Sequence, residues 1–439
     1  MKNYLTILFL LIATESFSRP VKTSFCFDFG AGTIKSGYTG ITGSDIYNSS
    51  TGYGFDFNTL PKFFIDTKAE DALKADFAIS DNAFYFSVKV PEGNYKVTVM
   101  LGSSSQAGLT TVKAESRRLM LENIKTKKGE FREETFLVNI KSPRINESNN
   151  VGLKEREKSK LDWDDKLTLE FNLQTVIYGL KIEAVDDAIT VFLAGNSTVV
   201  NQEYEPWASW GQMIPRFFNA KVAIANHAES GLTLGSFLGS RRLDKILSVA
   251  KPGDYLFIEF GHNDQKEKGE NDGAYKSYSE RLRLFVNRFR EIGGFPIILT
   301  STSRRAFDHN GELQQTLGDF PDAARKVAAE MNVPLIDLNK MTKGFYESLG
   351  VEKSKLAFVH YPANAYPGQS QALADNTHFN PYGAYEIARM VVQGIKDNYL
   401  PLNKYLKKVG SYDVVHPGNV NSWKWADSPK IEVLKPDGN

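Results

Sequence analysis

The hydrophobic pattern of this chain changes period once, near Asp187, and that change decides what each half can become. Residues 83–90 alternate apolar and polar side chains, Pro91-Glu92-Gly93-Asn94 turns, and residues 95–100 alternate again, which reads as a β-hairpin. Residues 134–140, 167–173 and 176–184 repeat the alternation, and no long stretch before Asp187 has helical spacing. An all-β sandwich is expected there. Beyond Asp187 the strands become continuous apolar runs, at residues 189–194, 255–260 and 296–300, as in a parallel sheet buried on both faces. Helical spacing lies between and after them, at 241–249, 278–292 and 322–331, the last leading into residues 333–338. Strands alternating with helices predict an open α/β sheet with right-handed crossovers.

At 439 residues the chain exceeds a single core, in keeping with two domains. The expected division is 1–18 an export signal, 19–186 the sandwich, 187–400 the α/β domain, and 401–439 an irregular tail rich in Lys, Pro, Gly and Asn. The signal reading rests on Lys2, an apolar run over residues 5–13, and small residues at Ser16 and Ser18. No other stretch is long and apolar enough for a transmembrane segment, so the mature protein is expected to be soluble, in the periplasm or outside a bacterial cell. Lys+Arg 53 against Asp+Glu 52 gives a net charge of +1, too balanced to suggest a nucleic-acid or membrane-surface partner. The charge runs at 125–128 and 154–160 read as solvated loops. Cys26 is the single cysteine, so no intrachain disulfide forms.

In open α/β sheets, sites form beyond the carboxyl ends of the strands. Four segments fall in such places: Gly195-Asn196-Ser197-Thr198, Asn226-His227-Ala228-Glu229-Ser230-Gly231 after a short strand at 222–225, Gly261-His262-Asn263-Asp264, and Asp375-Asn376-Thr377-His378 before a helix opening near Pro381. Ester hydrolysis needs an activated hydroxyl, a base oriented by a carboxylate, and donors for the developing oxyanion. Ser197 on a tight strand-to-helix turn supplies the first, with a helix N-terminus favouring nearby negative charge. One loop holding Asp375 and His378, three positions apart, supplies the second. Gly231 brings a backbone N–H close because it has no side chain, and Asn263 adds an amide donor. Each has a bland alternative: Ser197 as a helix cap, His378 as a surface or core histidine, Gly231 as a turn, Asn263 as part of an Asn/Asp loop. All candidates lie beyond Asp187, so the second half alone should carry the complete catalytic group.

In this order, the four segments resemble the SGNH/GDSL hydrolase superfamily. Pro206-Trp207-Ala208-Ser209-Trp210-Gly211-Gln212-Met213, the 226–231 segment, residues 261–265 and Thr377-His378-Phe379-Asn380 are similar to the rhamnogalacturonan acetylesterases over residues 189–399. Phe27-Asp28-Phe29-Gly30 and Thr51-Gly52-Tyr53-Gly54 resemble the galactose-binding-like module that precedes such esterases. The resemblance implies a three-layer α/β/α, flavodoxin-like domain with a parallel sheet after a jelly-roll-like sandwich. It implies Ser197 as nucleophile, His378 as base, Asp375 as its orienter, and an oxyanion hole of Ser197, Gly231 and Asn263. It further implies deacetylation of pectic polysaccharide through an acetyl-enzyme, with no cofactor and no metal, the partner being an acetylated plant polysaccharide or oligosaccharide. Asn196 departs from the family's usual Asp: an amide keeps one acceptor, loses the charge and adds donors. Asn196-Ser197-Thr198 also spells a glycosylation sequon, taken as coincidence.

Three other readings remain open. A metal-dependent hydrolase would recruit His227, Glu229, His262, Asp264, Asp375 and His378, although no zinc-protease spacing occurs. A carbohydrate-binding protein with a degenerate site would explain Asn196. A lipase or thioesterase lacks support, since no Gly-x-Ser-x-Gly elbow is present. Trp207, Trp210 and Tyr366 are the rings available to stack on sugars, with core packing as the alternative for each.

Overall fold

Both sheets of the first half share one strand, Lys166–Val185, 20 residues long. The computed structural model describes residues 23–65, 70–431 and 435–437, so the expected export signal lies outside the described residues. The alternation at 167–173 and 176–184 belongs to this single strand and not to two. Leu173 adopts a left-handed φ of 67° and the register slips between Ile177 and Gly179, which swings the strand from one sheet to the other. Its first part pairs with Phe84–Lys89 and Gly108–Ala114; its second pairs with Asp76–Ser80, Gly93–Gly102 and Ser24–Phe29. Phe27, Phe29, Phe55, Phe86, Val97, Leu169 and Leu180 fill the space between the sheets, with several rings meeting edge to face.

The sequence reading passes over Gly108–Ala114 and Arg118–Thr126, which pair antiparallel. In and beside their connection stand Lys113, Glu115, Arg117 and Arg118, all buried. These charges hide the strand pattern; Glu115 accepts the Thr168 N–H at 2.9 Å, Lys113 reaches the Ala426 carbonyl in the tail, and the two arginines reach the second half. Arg117 pairs with Glu205 and donates to the carbonyl of Trp207 at 2.8 Å; Arg118 donates to the carbonyl of Ile224 at 3.2 Å.

The second half is a five-stranded parallel sheet in the order Val222–Asn226, Ile189–Gly195, Tyr255–Phe260, Phe295–Thr300, Leu335–Ile336. Alternate residues of Ile189–Gly195 enter two separate cores. Val191 and Leu193 pack with the helices Leu338–Lys353 and Pro381–Asp397, while Phe192 and Ala194 pack with Arg242–Val249, Ser279–Glu291 and Phe320–Glu330. This is the three-layer α/β/α, SGNH-type architecture. The last strand is shorter than the 333–338 pattern because Asp337 accepts a bond from the Lys340 N–H and starts the next helix.

Beyond Leu400 the chain is irregular apart from one turn, Pro401–Tyr405, yet it is tied down. Trp425 donates to Glu205 at 2.8 Å, Ser428 to Glu170 at 2.6 Å, and Lys430 pairs with Glu203 at 3.1 Å. It thereby straps the two halves together. Among the described residues no helix is long and apolar enough to cross a membrane.

Candidate active site

Three neighbouring strands of the parallel sheet end on one side and deliver three of the four segments found in the sequence. Ile189–Gly195 ends at the Ser197 turn, where the N–H groups of Val199 and Val200 both donate to the Asn196 carbonyl, at 3.0 and 2.9 Å. No helix begins there: the chain runs irregularly to Trp210–Met213, so the expected helix N-terminus is absent from Ser197. The turn is held by side chains instead. Gln202 donates to the Ser197 carbonyl at 3.1 Å, and Asn226, at the end of the next strand, donates to the Val199 carbonyl at 2.6 Å. Asn263, after Tyr255–Phe260, donates its amide to the Leu232 carbonyl at 3.2 Å, which ties its loop to that of Gly231. Gly231 has φ +78°, a conformation that favours glycine.

Asp375 and His378 arrive on a strand, Leu373–Phe379, and not in a loop. Residues three apart on a regular strand would face opposite ways. Here the pairing with Phe358–Tyr361 is irregular: Ala374 opposes His360 and Phe379 opposes Phe358, so the span containing Asp375 and His378 bulges. Asn376 anchors the bulge by accepting from Arg305 at 3.0 Å and bonding His360 at 2.8 Å.

The outcome is a continuous chain of hydrogen bonds. Ser197 Oγ lies 2.9 Å from His378 Nε2, and His378 Nδ1 lies 2.8 Å from Asp375 Oδ2. The other Asp375 oxygen accepts the N–H groups of Thr377 and His378, at 2.8 and 3.0 Å. All three side chains are buried. Burial pushes the Asp375 carboxyl up, but the His378 bonds and the two backbone donors outweigh it and leave it at about 2. Such a chain can deprotonate a hydroxyl and hold the resulting imidazolium against a fixed carboxylate.

Behind the nucleophile turn, Glu259 is buried and accepts from Thr198 at 2.8 Å and Trp210 at 2.5 Å. Burial raises its carboxyl to about 7, against weaker lowering by these neutral donors. Asn196 Oδ1 accepts from the same Thr198 hydroxyl at 3.1 Å, while its Nδ2 is buried without a hydrogen-bond partner. Asn196 is 0% exposed, which leaves no room for a glycan on the sequon.

Beyond the Asp375–His378 pair, the residues of the metal reading do not gather into a ligand set. His227 packs against Trp163 and Phe192, and burial drives its pKa well down. Glu229 pairs with Arg156 and Lys160 at 2.7 Å each, Asp264 accepts the Leu234 N–H at 2.8 Å, and His262 is buried with its pKa driven down by burial. Among the described residues no three His, Cys, Asp or Glu side chains form a group that could hold a metal ion.

A cleft of about 410 Å³ adjoins this chain of residues, lined by Trp207, Gln202, Glu203, Tyr204, Glu229 and Ser230 among others. Trp207 meets the His378 ring edge-on, 5.9 Å between centres, so it is placed beside the reacting groups. Trp210 is instead fully buried core, and Tyr366 packs edge-on against Tyr361. The sequence reading missed another wall. Arg156 and Lys160 line the cleft from the first half, and Lys435 and Asp437 line it from the tail. The 154–160 run is therefore not a solvated loop: Glu157 is 0% exposed and pairs with the equally buried Arg242 at 2.5 Å. Nor does the second half build the site alone.

Residues 193–384 match the GDSL-like Lipase/Acylhydrolase family, and residues 25–146 match the galactose-binding domain-like family of β-agarase and YXIM esterase-like proteins. Rhamnogalacturonan acetylesterase RhgT of Bacillus subtilis (strain 168) is 43% identical over 220 residues, covering 50% of this chain and 94% of that protein. The probable rhamnogalacturonan acetylesterase YesY of the same strain is 34% identical over 224 residues, covering 50% and 97%. The uncharacterized esterase YxiM, also from that strain, is 27% identical over 420 residues, covering 90% of this chain and 98% of that protein, so its similarity extends across both halves.

Proposed function

Since the chain belongs to the GDSL-like lipase/acylhydrolase family, we propose that it is an exported serine esterase that removes O-acetyl groups from pectic polysaccharide, with rhamnogalacturonan as its polymer. One observation carries the reading: the unbroken hydrogen-bond chain Ser197–His378–Asp375, with links of 2.9 and 2.8 Å, at the edge of an open cleft. Ser197 Oγ attacks the acetyl carbonyl carbon as its proton passes to His378 Nε2. The N–H groups of Ser197 and Gly231 and the Asn263 amide receive the oxyanion. His378 gives the proton to the departing sugar oxygen, which leaves an acetyl ester on Ser197. Water, deprotonated by His378, attacks the acetyl carbon; the Ser197 Oγ–acyl bond breaks, Oγ takes the proton from His378, and acetate leaves. Asp375 stays ionised throughout and fixes the imidazole tautomer. The polymer choice is supported by the named activity of the 43%-identical relative, and export by the sequence of residues 1–18.

The test is acetate release from a panel of acetylated rhamnogalacturonan, homogalacturonan, xylan and mannan. The fastest release is expected from rhamnogalacturonan. Faster release from xylan or mannan would overturn the polymer, and no release from any would overturn the reaction. The unpartnered Asn196 amide keeps a second reading alive, a sugar-binding protein with a degenerate site. That reading requires no turnover of a simple aryl acetate.

A further inference from the structure

The segment leaving the sandwich makes a short turn, Glu155–Glu157, and the structure pins it from both sides. Glu157 Oε2 accepts the Lys154 N–H at 2.9 Å and receives Arg242 at 2.5 Å, both partners of that ion pair being 0% exposed. The pinned turn aims two long cationic side chains at the Ser230–Gly231 loop. Lys154 Nζ donates to the Ser230 carbonyl at 2.7 Å, and Arg156 Nη2 donates to the same oxygen at 2.9 Å. A third cation, Lys160, bonds Glu229 at 2.7 Å. Among these groups the buried Glu229 is the one fixed anion, since Glu157 is committed to Arg242. Arg156 and Lys160 on the cleft wall, with Lys154 beside them, thus face Glu229, while the wall's Glu203 is paired with Lys430.

A second carboxylate has come to them. Asp437 pairs with Arg156 Nη1 and sits 3.6 Å from Lys154 Nζ. Its Cβ lies 3.1 Å from where a side chain on Gly231 would begin, directly beside the loop assigned to the oxyanion. Its side chain is 59% exposed, unlike that of Glu229 at 2%. An exposed ion pair of this kind is worth little, so its carboxylate exchanges readily for another.

We propose that Lys154 and Arg156 form a carboxylate subsite for a uronate residue of the substrate, next to the acetylated sugar, and that Asp437 is seated where that uronate binds. The inference rests on the pectic reading above and names what selects a uronate-bearing polymer over a neutral one. Galacturonate carries a planar carboxylate on each ring, which Arg156 Nη1 meets while Lys154 adds a point charge, Arg156 Nε and Nη2 being held by Glu229 and the Ser230 carbonyl. Xylan and mannan backbones have no such group.

The experiment is calorimetric binding of trigalacturonate and of its methyl ester to the full chain, alongside the acetate-release panel. The free acid is expected to bind about tenfold or more tightly than the ester, as for loss of a charge-assisted hydrogen bond. Arg156→Gln should bring the ratio close to one, and Lys154→Gln, which leaves the Arg156–Glu229 pair in place, should reduce it. Asp437→Asn should tighten the acid alone. Equal binding of acid and ester by the wild type, or a ratio unmoved in folded R156Q and K154Q, overturns the subsite. A chain that releases acetate from rhamnogalacturonan without that preference sinks the subsite and keeps the pectic reading. A preference accompanied by release only from neutral polymers keeps the carboxylate site and sinks the pectic reading.

Discussion

Two walls of the cleft differ in origin and in the kind of contact that builds them. The wall with Trp207 and Ser230, beside which Ser197, His378 and Asp375 lie buried, comes from the α/β half, and its parts are held by bonds between neighbouring strand ends and a local bulge. The wall with Arg156 and Lys160 comes from the β half, and the turn that carries it is anchored by the buried ion pair of Glu157 with Arg242, 85 positions away. The sheet topology thus positions the reacting groups, whereas the recognition wall depends on how the two halves dock. Variants can strike either wall separately.

The largest effect is expected on the first wall. Ser197→Ala removes the nucleophile from a cooperating set, so kcat/KM for an aryl acetate should fall by about 10³-fold or more while urea unfolding stays close to wild type. The second wall should respond in stability. Glu157→Ala leaves Arg242 charged, buried and unpaired, at a cost of roughly 3–5 kcal/mol in denaturant unfolding. A chain starting at Asp187 would lose the partners of Glu205, Asn201 and Arg242 together and should not fold to the native sheet. Full turnover of aryl acetate by that truncated chain would show the walls to be independent.

Glu259 offers a pH-dependent sharpening of the comparison. Its folded value of about 7 lies above the ordinary 4.5, so the folded state favours the protonated form. That contribution is fully present below pH 4.5 and is lost as pH rises through about 7, a total of about 3 kcal/mol. Glu259→Gln stays neutral, so its unfolding free energy should decline by about 3 kcal/mol less than the wild type's over that window, the other raised carboxyls, such as Asp264, acting in both proteins. Parallel curves for the two proteins would remove Glu259 from the account. The smallest effect is expected from Asn196→Asp. It replaces the unpartnered amide by a second acceptor but puts another carboxyl on the Thr198 hydroxyl that Glu259 already uses. A change in kcat/KM within about tenfold in either direction is expected. Turnover absent from the wild type and present only in Asn196→Asp would favour the degenerate-site reading.

How far the sequence revealed these features follows from the same contrast. The parallel sheet was legible because residues 189–194 and 255–260 are continuous apolar runs, and with their ends located, Ser197 and Asn263 stood at the places where such sheets carry function. Asp375 and His378 were legible as a pair by spacing, but the bulge that turns them to one side was not, since it arises from pairing with Phe358–Tyr361. The helix expected after Ser197 does not form, because side chains of Gln202 and Asn226 take over its anchoring. The 154–160 run reads as solvated because the overall charge is balanced and such runs usually face water. Its partners, Arg242, Glu229 and Asp437, are all remote in sequence, and a charge pattern alone does not reveal docking between halves.

The central claim is that Ser197 carries the acetyl group between sugar and water, and trapping that ester tests it most directly. The wild-type chain is mixed with an aryl acetate, quenched in acid within the first turnover, digested and mapped by mass spectrometry. The account predicts one added acetyl group on the peptide containing Ser197, and none on that peptide from Ser197→Ala. An acetyl group on another residue, or rapid turnover with Ser197 replaced, would contradict it.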